Sequence, residues 1–125
     1  MTEFKTPKGT LLPLMNIKGK PYLQVAHRIV WFREERPHFT IETELKSSEG
    51  ACLAKATIRN EEGRIVAQAH KYEDKKGFFD FREKAETGAI GRALALLGYG
   101  TQFAEPDFDE RERLADSPVD PIRRF

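Results

Sequence analysis

Apolar positions recur at helical spacing in two stretches of this chain and at strand spacing between them. Tyr22, Val25, Ala26, Ile29 and Phe32 follow a period close to 3.6 residues, Pro21 suits a first helical turn, and Pro37 ends the run. A first helix is therefore expected from Pro21 to Glu35. After Pro37 the period becomes two. Phe39, Ile41, Thr43 and Leu45 alternate with Thr40, Glu42, Glu44 and Lys46, and Ser47-Ser48-Glu49-Gly50 reads as a turn. A second strand is expected from Ala51 to Arg59, with Cys52, Ala54, Ala56 and Ile58 on one face and Leu53, Lys55, Thr57 and Arg59 on the other. Asn60-Glu61-Glu62-Gly63 is a hairpin signal, Arg64 to Glu73 a third strand, and Asp74-Lys75-Lys76-Gly77 its closing turn.

A second helix follows, with Asp80 and Glu83 in capping-box spacing before it and Gly98 and Gly100 at its end. The expected fold is α+β: an antiparallel three-stranded meander in a β-β-β-α core, preceded by a helix, with the long second helix packed on the sheet. Met1 to Gly19 reads as an arm that docks through Leu11, Leu12, Leu14 and Met15. One domain over residues 1–104 is expected, followed by an acidic, Pro-containing tail over 105–125.

The second helix has glycines where a surface helix should avoid them. An interior Gly costs about 0.5–1 kcal/mol relative to Ala, so Gly88 and Gly91 need a reason. With Ala95 and Gly98 they form a stripe of small residues, more suited to packing against the sheet or a neighbour than to direct nucleic-acid contact. Arg92 is the one cation in this otherwise small and apolar run, which points to an anion nearby.

Composition narrows the function classes. The 125 residues carry a net charge of +1, so overall charge does not announce a polyanionic partner. Charge is uneven along the chain: Met1 to Arg33 has six Lys or Arg and one acid, whereas Glu105 to Asp120 has seven acids and two Arg. Cys52 stands alone, which excludes an intrachain disulfide. No apolar run approaches the ~20 residues of a membrane span, so a soluble cytoplasmic protein is expected.

Standard catalytic constellations are missing. There is no phosphate-binding loop with its Lys and Ser/Thr, Gly88 and Gly91 lie inside a helix rather than at a strand-to-helix turn, and His27, His38 and His70 sit on different elements without metal-ligand spacing. No metal or cofactor is expected, and the chain reads as a binder rather than an enzyme.

The run from Lys84 through Thr87 and Arg92-Ala93-Leu94 to Gly98 resembles the helix of the Rad-fifty-two-type single-strand annealing proteins, including phage and bacterial relatives. Tyr22 with His27-Arg28 is similar to that family's first helix, and the likeness spans residues 18–103. It implies an ATP-independent protein that binds and anneals single-stranded DNA in recombination and repair, as an oligomeric ring or filament. The chain departs from the pattern where relatives often carry further basic residues, at Gly91 and Ala95. The implied phosphate contacts are Lys18, Lys20, Arg28, Lys55, Arg59 and Arg92, with Lys71, Lys75 and Lys76 as weaker ones, and Tyr99 is the expected exposed stacking ring. Trp31, Phe32, Phe78, Phe79 and Phe81 are expected to share an aromatic core between the helices. The acidic tail, ending in Arg123-Arg124-Phe125, suggests docking on the next protomer's basic front, recruitment of a recombination or replication partner, or a disordered segment that keeps the protein soluble. The alternatives are an oligomeric scaffold of the same fold without annealing activity, or a plain single-strand-coating protein.

Overall fold

A computed structural model describes residues 2–76 and 79–101. Its element order is β1 (Glu3–Lys5), β2 (Leu11–Pro13), β3 (Met15–Ile17), β4 (Lys20–Tyr22), α1 (Val25–Glu35), β5 (Thr40–Ser48), β6 (Ala51–Arg59), β7 (Ile65–Asp74) and α2 (Phe81–Leu96). The fold is α+β, with β5-β6-β7 as one antiparallel sheet flanked in sequence by the two helices.

The meander forms where the alternation places it. Each turn has a chemical reason: Gly50 and Gly63 adopt φ values of 80° and 81°, and the Asn60 side-chain oxygen accepts from the backbone N–H groups of Glu62 and Arg64 at 3.1 and 2.9 Å. Ile41, Thr43 and Leu45 pair with Ile58, Ala56 and Ala54, while Ala67, Ala69 and Lys71 pair with Ile58, Ala56 and Ala54 from the other side. These residues form one face of the sheet, and α2 covers it. Register shifts by one residue at Ile58/Arg59, where Arg59 pairs with Ile65.

Alanines make this helix-to-sheet contact close. Ala85, Ala89 and Ala93 of α2 are fully buried, as are Ala54 and Ala56 of β6, and Ile58, Ile90 and Leu94 fill the remaining space. The stripe of Gly88, Gly91 and Ala95 therefore flanks the sheet-facing surface of α2 rather than forming it. The helix ends in a Schellman turn. Tyr99 N–H donates to Leu94 O and Gly98 N–H to Ala95 O, each at 2.9 Å, with Gly98 at φ 94°. At the other end Asp80 occupies the N-cap position, but its side chain makes no capping hydrogen bond, so the expected capping box does not form.

The N-terminal arm is more regular than its sequence suggests. It folds as two short hairpins, β1-β2 and β3-β4. Leu12 is buried, whereas Leu11 points to solvent. Thr6 Oγ1 donates to Glu34 Oε1 at 2.9 Å, and the Thr10 hydroxyl donates to Glu34 Oε2, so one carboxylate ties the first hairpin to α1. Helix α1 begins at Val25 rather than at Pro21, because Pro21 and Tyr22 are drawn into β4 opposite Asn16 and Met15.

The aromatic cluster has different members from those expected. Trp31 and Phe32 meet Phe4, Phe39 and Tyr99, with centroid separations of 4.7 Å for Phe4–Trp31 and 4.8 Å for Trp31–Tyr99. Phe81 is buried on its own turn of α2, and Phe79 is 85% exposed. Phe78 and the tail over 105–125 lie outside the described residues.

Candidate nucleic-acid interface

Two glycines inside α2 make room for two cationic side chains. A Cβ at Gly91 would stand 2.9 Å from Val25 Cγ2 and 3.3 Å from Arg28 Nη2; one at Gly88 would stand 2.7 Å from Lys71 Cγ. The stems of Arg28 and Lys71 thus lie against bare helix backbone. Arg28 is buried at 7% exposure and donates to Leu23 O at 3.0 Å, Gly91 O at 3.1 Å and Tyr22 Oη at 3.0 Å. It bolts α1 to α2. Its expected role as an open phosphate contact is corrected, because its donors are aimed inward at protein oxygens.

Arg92 lies one residue further along α2 and is exposed. Its Nη1 donates to the His70 carbonyl at 2.9 Å, so the guanidinium reaches across to β7, a strand at the edge of the sheet. Between α1, α2 and β7 runs an open groove of about 460 Å³, lined by Val25, Arg28, His70, Gly88 and Arg92 among others, with no acidic side chain among its described lining residues. Such a groove suits a negatively charged backbone chemically, since carboxylates that would repel a phosphate are absent from its lining.

The other expected contacts are dispersed. Lys18 and Lys20 are exposed on the β3-β4 hairpin, where Lys18 takes a φ of 52°. Lys55 and Arg59 lie on the sheet face opposite α2. Arg59 is engaged there: Nε meets Glu42 Oε1 at 3.1 Å and Nη1 donates to Gly63 O at 3.0 Å. Lys71 Nζ is 3.6 Å from Glu73 Oε2, and Lys75 Nζ is 5.3 Å from the Phe79 ring centroid. The structure therefore brings Arg28 and Arg92 together and leaves the remaining cations on separate surfaces.

Tyr99 is not an exposed stacking ring. It is 4% exposed, and the Schellman turn folds it back against Trp31 and Phe32. Its hydroxyl donates to Glu35 Oε1 at 2.9 Å, and Trp31 Nε1 donates to Glu35 Oε2 at 3.0 Å. Burial pushes the Tyr99 phenol above its ordinary pKa, and the Glu35 carboxylate pushes in the same direction. Burial likewise raises the Cys52 thiol.

Composition alone did not point to His70 or Tyr72. Tyr72 is 59% exposed on β7, two residues after His70, and its signal in the sequence was an aromatic residue on the polar side of an alternating strand. Among the described residues no three His, Cys, Asp or Glu side chains are grouped so as to hold a metal ion, and no helix is long and apolar enough to cross a membrane.

No curated protein and no solved structure matches the chain. Residues 29–97 match a protein family, and the matched span runs from α1 through the meander to the end of α2. The family found is not the single-strand annealing family that the helix motif resembles. Since the match covers more than half of the 125 residues, the chain belongs to the family described as Slr1353 N-terminal dsRNA-binding domain-like.

Proposed function

We propose that the protein binds nucleic acid by its phosphate backbone along the α1–α2–β7 groove, and that it holds single strands so that complementary sequences pair without ATP. The observation that carries the reading is the convergence of two separated motifs: Tyr22 and Arg28 from one meet Gly91 and Arg92 from the other at a groove whose described lining residues include no acid. The family description supports nucleic-acid binding in general. The annealing step rests on the motif resemblance, and so do assembly as a ring or filament and a role in recombination and repair. In this reading the protein is not an enzyme. It aligns strands, and base pairing supplies the driving force.

A duplex-RNA-binding role is favoured by the family description itself. In that mode a domain follows the shape, phosphates and 2′-hydroxyls of an A-form helix and leaves the strands paired. One experiment separates the readings: fluorescence-monitored annealing of complementary DNA oligonucleotides at two salt concentrations without ATP, beside binding of the same strands and of duplex RNA. Acceleration that fades at high salt supports annealing. Tight duplex-RNA binding without acceleration supports the second reading, and absence of salt-dependent binding to any of them overturns both in favour of a scaffold.

A further inference from the structure

We propose that the sheet face turned away from α2 is a stacking platform for unpaired bases, with Tyr72 as its principal ring. The proposal rests on the nucleic-acid reading above and assigns it a strand class: single strands, whose base faces are open. Along β5, β6 and β7 this face carries Lys46, Leu53 and Tyr72 in one row, since Lys46 pairs with Leu53 and Leu53 with Tyr72. The next row holds Glu44, Lys55 and His70.

The face is unusual for a solvated one. Leu53 is 40% exposed and Tyr72 59%, side by side across two strands, whereas a strand face in water normally presents polar residues there. Tyr72 and His70 are two residues apart on one strand and so project about 7 Å apart, comparable with the span of one extended nucleotide. Successive bases could therefore meet successive rings.

Charge decides the occupant. Lys46 and Lys55 flank the Leu53–Tyr72 pair and have no ion-pair or hydrogen-bond partner among the described residues, whereas Arg59 is committed to Glu42. Two uncommitted cations beside an exposed ring suit a strand that alternates phosphate and base. Glu42 and Glu44 occupy the middle of the outer strand β5, which confines the phosphate path to the Lys46 end of that strand, Lys55 and β7. The platform is also continuous with the groove: His70 lies on this face, and its carbonyl receives Arg92 at the β7 edge. One strand can hold its phosphates at Arg92 and lay its bases over Tyr72.

The test uses the full chain and a fluorescein-labelled oligo(dT) strand, with duplex RNA alongside. Tyr72→Ala should weaken oligo(dT) binding roughly tenfold, the loss of about one stacked base, while leaving the salt slope unchanged. Tyr72→Phe should bind as the parent does, and Lys46→Ala should lower the salt slope by about one. Thermal melts check that the variants fold. The platform is overturned if Tyr72→Ala binds oligo(dT) like the parent, if it loses oligo(dT) and duplex RNA equally, or if it changes only the oligomeric state, which would make the face a contact between copies. A parent that binds no nucleic acid overturns the wider reading as well, a result distinct from the first three.

Discussion

The Arg28 guanidinium donates to the carbonyl of Gly91, 63 positions away, at 3.1 Å, and a side chain at position 91 would occupy the space that its neighbour Val25 and the Arg28 fork now fill. This contact explains both the glycine inside a helix and the burial of a charged residue. An Arg held by three oxygens loses far less on leaving water than an unpaired one would.

Replacing Arg28 should therefore act on stability. Arg28→Met keeps much of the stem and removes the charge-assisted bonds, with an expected loss of about 1.5–3 kcal/mol. Arg28→Lys should also destabilise, because an ammonium cannot span Leu23, Gly91 and Tyr22 with the geometry of a planar fork. Urea unfolding of the variants measures both. Equal stability of Arg28→Met and the parent would show that the bolt carries no load.

The two helical glycines should respond differently to alanine. Gly91→Ala gains helix propensity but forces a Cβ to 2.9 Å from Val25, on a neighbouring helix, and a net loss of about 1 kcal/mol is expected. Gly88→Ala meets Lys71, whose stem can turn outward, and should stay within about 0.5 kcal/mol of the parent. In a Lys71→Ala background, Gly88→Ala should become stabilising. Chemical denaturation of the parent, the three single variants and the Lys71→Ala, Gly88→Ala double variant tests the difference.

Tyr99 sets an alkaline dependence. Its phenol is raised above the usual value of about 10 by burial and by Glu35, so the folded state holds the proton more tightly than the unfolded one. The stabilisation is complete below pH ~10 and is lost as pH rises through the folded-state value. Tyr99→Phe removes the titrating group. Its stability should fall less steeply than the parent's above pH ~10, and parallel stability profiles from melts across that range would contradict the assignment.

Arg92 should behave as a surface contact. Arg92→Ala loses contacts of an exposed side chain, among them the hydrogen bond to His70 O, so its melting temperature should hardly move. Binding to single-stranded DNA should weaken, with the salt slope reduced by about one. Unchanged affinity at moderate salt would remove Arg92 from the interface.

The meander was legible because alternation persists over nine or ten residues per strand and each turn carries its own chemistry, as at Asn60 and Gly63. The two N-terminal hairpins were not, because strands of three residues are too short to show a period. Arg28, in the His27-Arg28 pair, was expected as a phosphate contact, yet Gly91 was a sign that something had to lie close to the helix. Tyr99, flanked by Gly98 and Gly100, was expected to be exposed. A Schellman turn needs Gly98 for its left-handed residue, and the same turn directs the following side chain back into the core. Of the candidate site, Arg92 was legible from motif spacing. The edge position of β7, which gives Arg92 its groove, is a property of sheet order that no local pattern contains.

The hydrophobic core extends beyond residues 29–97 at both ends. Before the family's span begins at residue 29, Tyr22, Leu23 and Val25 are already almost wholly buried, and after it ends at 97 Tyr99 closes over Trp31. Glu34, inside the span, spends its carboxylate on Thr6 and Thr10 outside it. A fragment trimmed to residues 29–97 would lose the first turn of α1 and would leave Trp31 without Phe4 and Tyr99, and is expected to fluctuate like a collapsed globule rather than hold one packing. The packing that encloses Trp31 thus draws on residues on both sides of the matched span.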